Sequence, residues 1–144
     1  MDRRLFLVLP CFLFASCERT PVAFRNTDLT GASFGRGLEL SDHNGQRRSL
    51  ADFHGRVVVI FFGYTSCPDI CPTMLARLAE VMKELGPEAK KVQVLFVTLD
   101  PERDSLAILN EYANAFRPNG GRPILGLRGT PEQSATLLSG PAVS

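Results

Sequence analysis

Two thiols stand four positions apart in the stretch VVVIFFGYTSCPDICPTML, residues 57–75, and each is followed at once by a proline. Cys67 and Cys71 could do one of three things. They could exchange with a disulfide, one sulfur attacking and the other resolving. They could hold a soft metal ion between two thiolates. Or they could close a structural bridge, but a loop of three intervening residues restrains little unfolded chain, so the stabilisation would be small. If helical, a spacing of four puts two Cβ atoms about 5 to 6 Å apart on one face, a gap that a disulfide or a single ion can close. Redox C-x-x-C pairs have one residue fewer between the sulfurs, so the longer gap leans toward metal. Cu(I) is the softest common candidate and accepts few ligands, whereas zinc would need four donors that this loop does not supply alone.

The neighbouring residues bear on that chemistry. Pro68 and Pro72 fix φ at about −65° and donate no backbone hydrogen bond, so the loop loses less freedom on binding. Pro72 is tolerable only where a helix begins, which makes Cys71 an N-cap or first-turn residue. There the unpaired amides and the positive end of the helix favour a thiolate. Other chemically capable side chains read as structural. His43, beside the Asn44 turn, and His54, before Gly55, read as solvated. Met74 and Met82 fall on an apolar helical stripe and read as core. Asp100 opens an Asp-Pro turn.

The elements that must position the thiols follow from periodicity. Residues 57–62 are β-branched or aromatic without alternation, the pattern of a strand buried on both faces at the centre of an α/β sheet. From Thr73 the apolar positions Met74, Leu75, Leu78, Val81, Met82 and Leu85 recur at three and four residues, and Gly86-Pro87 ends the helix. Residues 92–99 form a second buried strand, and DPERD turns the chain into a second helix over roughly 105–116. PILGL is a short third strand. Thr130-Pro131-Glu132-Gln133 opens a last helix with a capping box. Upstream, Asn44-Gly45 predicts a two-residue hairpin turn between two short strands. The order β-β-β-α-β-α-β-α predicts a mostly parallel sheet flanked by helices.

Length and charge narrow the function classes. At 144 residues the chain holds one core, and Lys+Arg 16 against Asp+Glu 15 leaves no basic block for a phosphate backbone, so nucleic acid is not an expected partner. The N-terminus is a separate unit. Arg3 and Arg4 precede an apolar run from Leu5 to Phe14, then Ala15 and Ser16 stand ahead of Cys17. Residues 1–16 therefore read as a bacterial export signal with a lipoprotein-like processing site, Cys17 receiving lipid. Residues 17–33 read as a flexible tether and 34–144 as the folded domain. Cys11 leaves with the signal, so Cys67 and Cys71 remain for chemistry in a compartment that permits disulfides.

FFGYTSCPDICPTML, followed by VLFVTLDPERD and preceded by DFHGRVVVI, closely resembles the SCO/SenC family of copper-binding, thioredoxin-fold proteins over about residues 28–137. The resemblance implies a thioredoxin-like fold and a copper metallochaperone, tethered to the bacterial cell membrane and facing the periplasm. Its cargo would be copper, as Cu(I) or Cu(II). Its partner would be cytochrome c oxidase subunit II, whose dinuclear copper centre it would help to assemble, or another periplasmic copper or thiol protein. By the same resemblance Cys67 and Cys71 are the thiolate ligands and also the pair that forms a regulatory disulfide. Asp100 matches a family acid near the site and would orient a donor or partner without binding the ion. The family's third ligand is a histidine far downstream, and no histidine follows His54 in this sequence. The closing hairpin of the thioredoxin-like sheet is also expected to be missing, which reads as a C-terminal truncation. A thiol–disulfide oxidoreductase acting on partner cysteines is the alternative activity, and an inactive remnant the third reading.

Overall fold

The computed structural model describes residues 38–118 and 121–138. The export segment, the tether and Cys17 lie outside them. In chain order the elements are β1 (Leu40–Asp42), β2 (Arg47–Arg48), β3 (Val57–Gly63), α1 (Ile70–Glu84), β4 (Val92–Thr98), α2 (Leu106–Ala115), β5 (Leu125–Arg128) and α3 (Pro131–Leu138), with 3-10 turns at Leu50–Phe53 and Gly86–Lys91. This is the order the periodicity predicts. Among the described residues no helix is long and apolar enough to cross a membrane.

The strands form one sheet in the order β2-β1-β5-β4-β3. β3 pairs with β4, and β4 with β5, in parallel, whereas β1 runs antiparallel to both β5 and β2. The result is an α/β fold of thioredoxin-like arrangement whose sheet is mixed, its parallel part confined to the three strands that long crossovers connect. Alternation in β3 and β4 divides the core. Val58, Ile60, Phe62, Leu95 and Val97 face a cluster containing Leu38, Phe53 and Leu127. Val59, Phe61, Val94 and Phe96 face the opposite cluster, which holds Leu75 of α1 and Leu109 and Ala113 of α2. Both faces of these strands are covered, which is why neither run alternates in sequence.

Four expectations need correction. β3 is not central: among the described residues it is the edge strand, and β4, buried from Gln93 to Thr98, lies between it and β5. A non-alternating apolar run reports coverage of two faces, whereas lateral position depends on partners that residue type does not encode. The Asn44-Gly45 turn does not place two residues at positive φ. Gly45 alone has φ of 79°, and its N–H donates to the Asp42 carbonyl at 2.8 Å, giving a longer loop braced by the Asp42 carboxylate. Met82 is core, but Met74 is 47% exposed, because the buried stripe of α1 runs through Cys71, Leu75 and Met82 instead. His43 is not merely a solvated turn residue. Its Nδ1 accepts the Gly126 N–H at 3.0 Å while its own N–H donates to the Gly126 carbonyl at 2.9 Å, pinning β1 to β5.

The last helix begins as its sequence predicts. Thr130 Oγ1 accepts the Gln133 N–H at 3.2 Å, and Gln133 Oε1 accepts the Thr130 N–H at 2.8 Å. Each satisfies a donor that the first turn leaves free.

Candidate metal and thiol site

The thiols lie where β3 hands the chain to α1, at the C-terminal end of the parallel strands, the usual place for a site in an α/β sheet. Cys71 is in the first turn of α1 and 3% exposed, whereas Cys67, in the preceding loop, is half-buried. Both are free.

Gly63, the last residue of β3, makes room for the inner sulfur. A Cβ on Gly63 would meet Cys71 Sγ at 2.9 Å, closer than real Cβ contacts come, with Phe96 at 3.0 Å and Phe61 at 3.2 Å both tight. Cys71 therefore seats its sulfur against the aromatic end of the core because position 63 carries no side chain.

The outer sulfur occupies a different environment. The Cys71 N–H points at Cys67 Sγ at 3.4 Å. The N–H groups of Asp69 and Ile70 also act on that sulfur, so three amides at the start of α1 converge on it. Asp69, the N-cap residue, makes no capping bond of its own to the backbone. Cys67 thus supplies the acceptor that an N-cap oxygen would ordinarily provide. The Cys71 thiol, donating to Cys67, and then these amides hold Cys67 below the usual thiol range. Burial, then the hydrogen bond and charge of Cys67, push Cys71 the other way. Sequence alone places Cys71 at the helix start and so favours it as the thiolate. The structure shows that the helix amides serve the sulfur lying before the helix, whereas burial dominates at Cys71.

An acid that sequence reasoning passed over fixes the loop. Asp104 is 1% exposed and accepts three hydrogen bonds, from the Thr65 N–H at 3.1 Å, the Thr65 hydroxyl at 2.5 Å and the Thr98 hydroxyl at 2.5 Å. It ties the cysteine loop to the end of β4. Asp100 lies at the same end, where its carboxylate pairs with the exposed Arg103 at 3.0 Å and its N–H donates to Thr98 Oγ1 at 3.0 Å. Asp104 was legible as the second acid of DPERD, but nothing in that pattern says which acid turns inward. The Leu99 N–H closes the rim by donating to the Gly63 carbonyl at 2.7 Å.

Two tyrosines stand near the sulfurs. Tyr64 is exposed, and the charge of Cys67 chiefly raises its pKa, with a hydrogen bond to that sulfur adding to the effect. Tyr112, on α2, is pushed up to about 12, first by burial and then by the charges of Cys71, Cys67 and Asp104. Among the described residues no three His, Cys, Asp or Glu side chains are grouped to hold a metal ion. The donor set that the described residues bring to the site is two sulfurs, which suits a soft ion of low coordination number better than zinc.

The SCO1/SenC family model matches residues 26–140. The mitochondrial SCO2 homolog of Bos taurus is 43% identical over 128 residues, covering 87% of this chain and 47% of that protein. The mouse homolog is 44% identical over 114 residues, covering 77% of this chain and 43% of its own length. The chain thus spans about half the length of these relatives. Among solved structures, copper-bound ScoI of Bradyrhizobium japonicum superposes with a TM-score of 0.64 at 38% identity, covering 71% of this chain and 62% of that one. Copper-bound yeast Sco1 gives 0.63 at 36% identity, with 71% and 55% covered. With the two thiols, the DPERD turn and the sheet all in place, the chain belongs to the SCO1/SenC family.

Proposed function

We propose that this protein is a copper metallochaperone that carries Cu(I) between Cys67 and Cys71 and releases it to partner thiolates during cytochrome c oxidase assembly. The carrying observation is the pairing of one sulfur capped by helix amides with a second buried directly behind it. Cys67 is the accessible member of the pair, so an incoming thiolate meets it first and replaces the protein's ligands one at a time. Tyr64, Ile70, Met74 and Leu99 are exposed apolar or aromatic residues on the loop, helix and strand ends around it. They offer a partner contact area next to the ion. Two similar proteins solved with copper bound support the cargo. The finer reading names the dinuclear copper centre of oxidase subunit II as the destination. It also places the folded domain on the periplasmic face of a bacterial membrane, held by lipid on Cys17. Asp100 in this reading lies at the rim as an acid available to a partner.

The test is a Cu(I) competition titration of the reduced full chain beside Cys67→Ser and Cys71→Ser. The proposal expects one ion bound per chain and loss of that ion in both variants. Binding that survives both substitutions would refute it.

The asymmetry of the two thiols supports a second activity at the same site, reduction of a partner disulfide. The Cys67 thiolate attacks one partner sulfur, the partner S–S bond breaks, and the other partner sulfur leaves as a thiolate and takes up a proton. Cys71 then loses its proton and attacks Cys67 Sγ, releasing the second partner thiol. The pair ends as a disulfide and the partner has gained two electrons. Reducing a model disulfide with metal-free protein would check this; no turnover by the wild type, or unchanged turnover in Cys67→Ser, would exclude it.

A further inference from the structure

Tyr112 carries a buried hydroxyl with no hydrogen-bond partner, and no other described side chain does so. Its position is well fixed. The ring packs 5.2 Å from that of Phe96 and 5.2 Å from that of Phe116, and it joins the cluster under α1 and α2. Phe96 in turn shares with Cys71 Sγ the small space left by Gly63, each about 3 Å from the point where a Cβ would stand. Phe96 is therefore a shared neighbour of the phenol and the inner sulfur. Leaving a hydroxyl unpaired in a protein interior costs about 1 to 3 kcal/mol, and phenylalanine would fill the same space without that cost. The charges that act on the phenol are those of Cys71, Cys67 and Asp104, all acceptors, so it stays protonated and can only donate toward them.

We propose that the Tyr112 hydroxyl is a positioning donor for the Cys71 sulfur, unpaired while that sulfur is a thiol and engaged once it is a metal-bound thiolate. A neutral buried thiol is a weak acceptor, whereas a thiolate sulfur is a strong one. Loading the site supplies the partner that the resting protein lacks, with the inner sulfur turned toward the phenol. The inference rests on the copper reading for its physiological ion, but the hydroxyl's role toward a metal-bound thiolate can be tested apart from that reading.

The experiment compares the wild type with Tyr112→Phe in two measurements whose signs oppose. Cu(I) affinity, by competition, should fall by about ten- to a hundredfold, the range of a lost hydrogen bond to a charged group. The melting temperature of the reduced, metal-free chain should stay level or rise, because an unpaired group has been removed. Unchanged affinity, or a lower melting temperature in the metal-free variant, would overturn the proposal. A third readout needs no change at position 112. The chain has two tyrosines and no tryptophan, so in Tyr64→Phe a single isotope-labelled tyrosine resonance reports Tyr112. It should shift when metal is added, and a stationary resonance would count against the proposal. Repeating each measurement with Hg(II), which takes two thiolates whatever the natural cargo, separates the claims. A wild type that takes Hg(II) but not Cu(I) removes the copper reading and leaves Tyr112 to be judged on the Hg(II) results.

Discussion

Gly63 and Cys71 are fitted to each other: the sulfur stands 2.9 Å from where a Cβ on residue 63 would be. The backbone there needs no left-handed conformation, so the constraint is one of space alone. Gly63→Ala should therefore keep the fold and displace the sulfur. Overpacking of this kind costs about 1 to 3 kcal/mol, which urea denaturation would show. Cu(I) affinity should fall in the same variant. Wild-type affinity would mean that the pair adjusts freely.

Asp104 should matter more than Asp100. Asp104→Ala leaves the Thr65 N–H and two hydroxyls, one of them buried, without their acceptor. A loss of about 2 to 4 kcal/mol is expected from several bonds to one buried charge. Asp100→Asn breaks an ion pair whose Arg103 side chain is 81% exposed, and such pairs contribute about 0 to 1 kcal/mol. Denaturation midpoints of the two variants would rank them; equal losses would contradict the assignment of Asp104 as the acid that fixes the loop.

The thiols should titrate apart. Cys67, helped by the Cys71 thiol and the helix amides, should be alkylated by iodoacetamide at lower pH than an ordinary thiol. Cys71, held up by burial and by the adjacent Cys67 sulfur, should react later. Cys71→Ala removes the leading donor, so the pH midpoint for Cys67 should rise. Mass mapping of the alkylated residue against pH would decide, and reaction of Cys71 first would reverse the assignment.

Acid should loosen the junction of β1 and β5. Burial holds the His43 imidazole below its usual value of 6.5, with the Asp42 charge opposing that shift only in part. Nδ1 accepts the Gly126 N–H, which a protonated ring cannot do. The unfolded chain therefore binds the proton more readily than the folded one. Stability from this group is full above pH 6.5 and is lost as pH falls from there through the lower folded value. His43→Phe should flatten that part of the stability curve and cost about 1 kcal/mol at neutral pH for the lost bond. A slope unchanged in the variant would place the titration elsewhere.

The amino-acid pattern by itself determined the order of elements, the junction that holds the thiols and the capping box of α3, because these depend on residues within a few positions of one another. The strand-to-helix junction is written in an apolar run, two prolines and a periodic stripe, all local. Only the tertiary structure decided which strand lies at the edge, which sulfur receives the helix amides, and that Asp104, Gly63, His43 and Tyr112 serve the site or its scaffold. Each of those relations joins residues far apart in the chain, or turns on which side of a helix a group faces once the sheet is assembled. Thr65 and Asp104 are 39 positions apart, and His43 and Gly126 are 83. Burial and the closing of such distances create the differences in proton affinity and space that residue type alone does not carry.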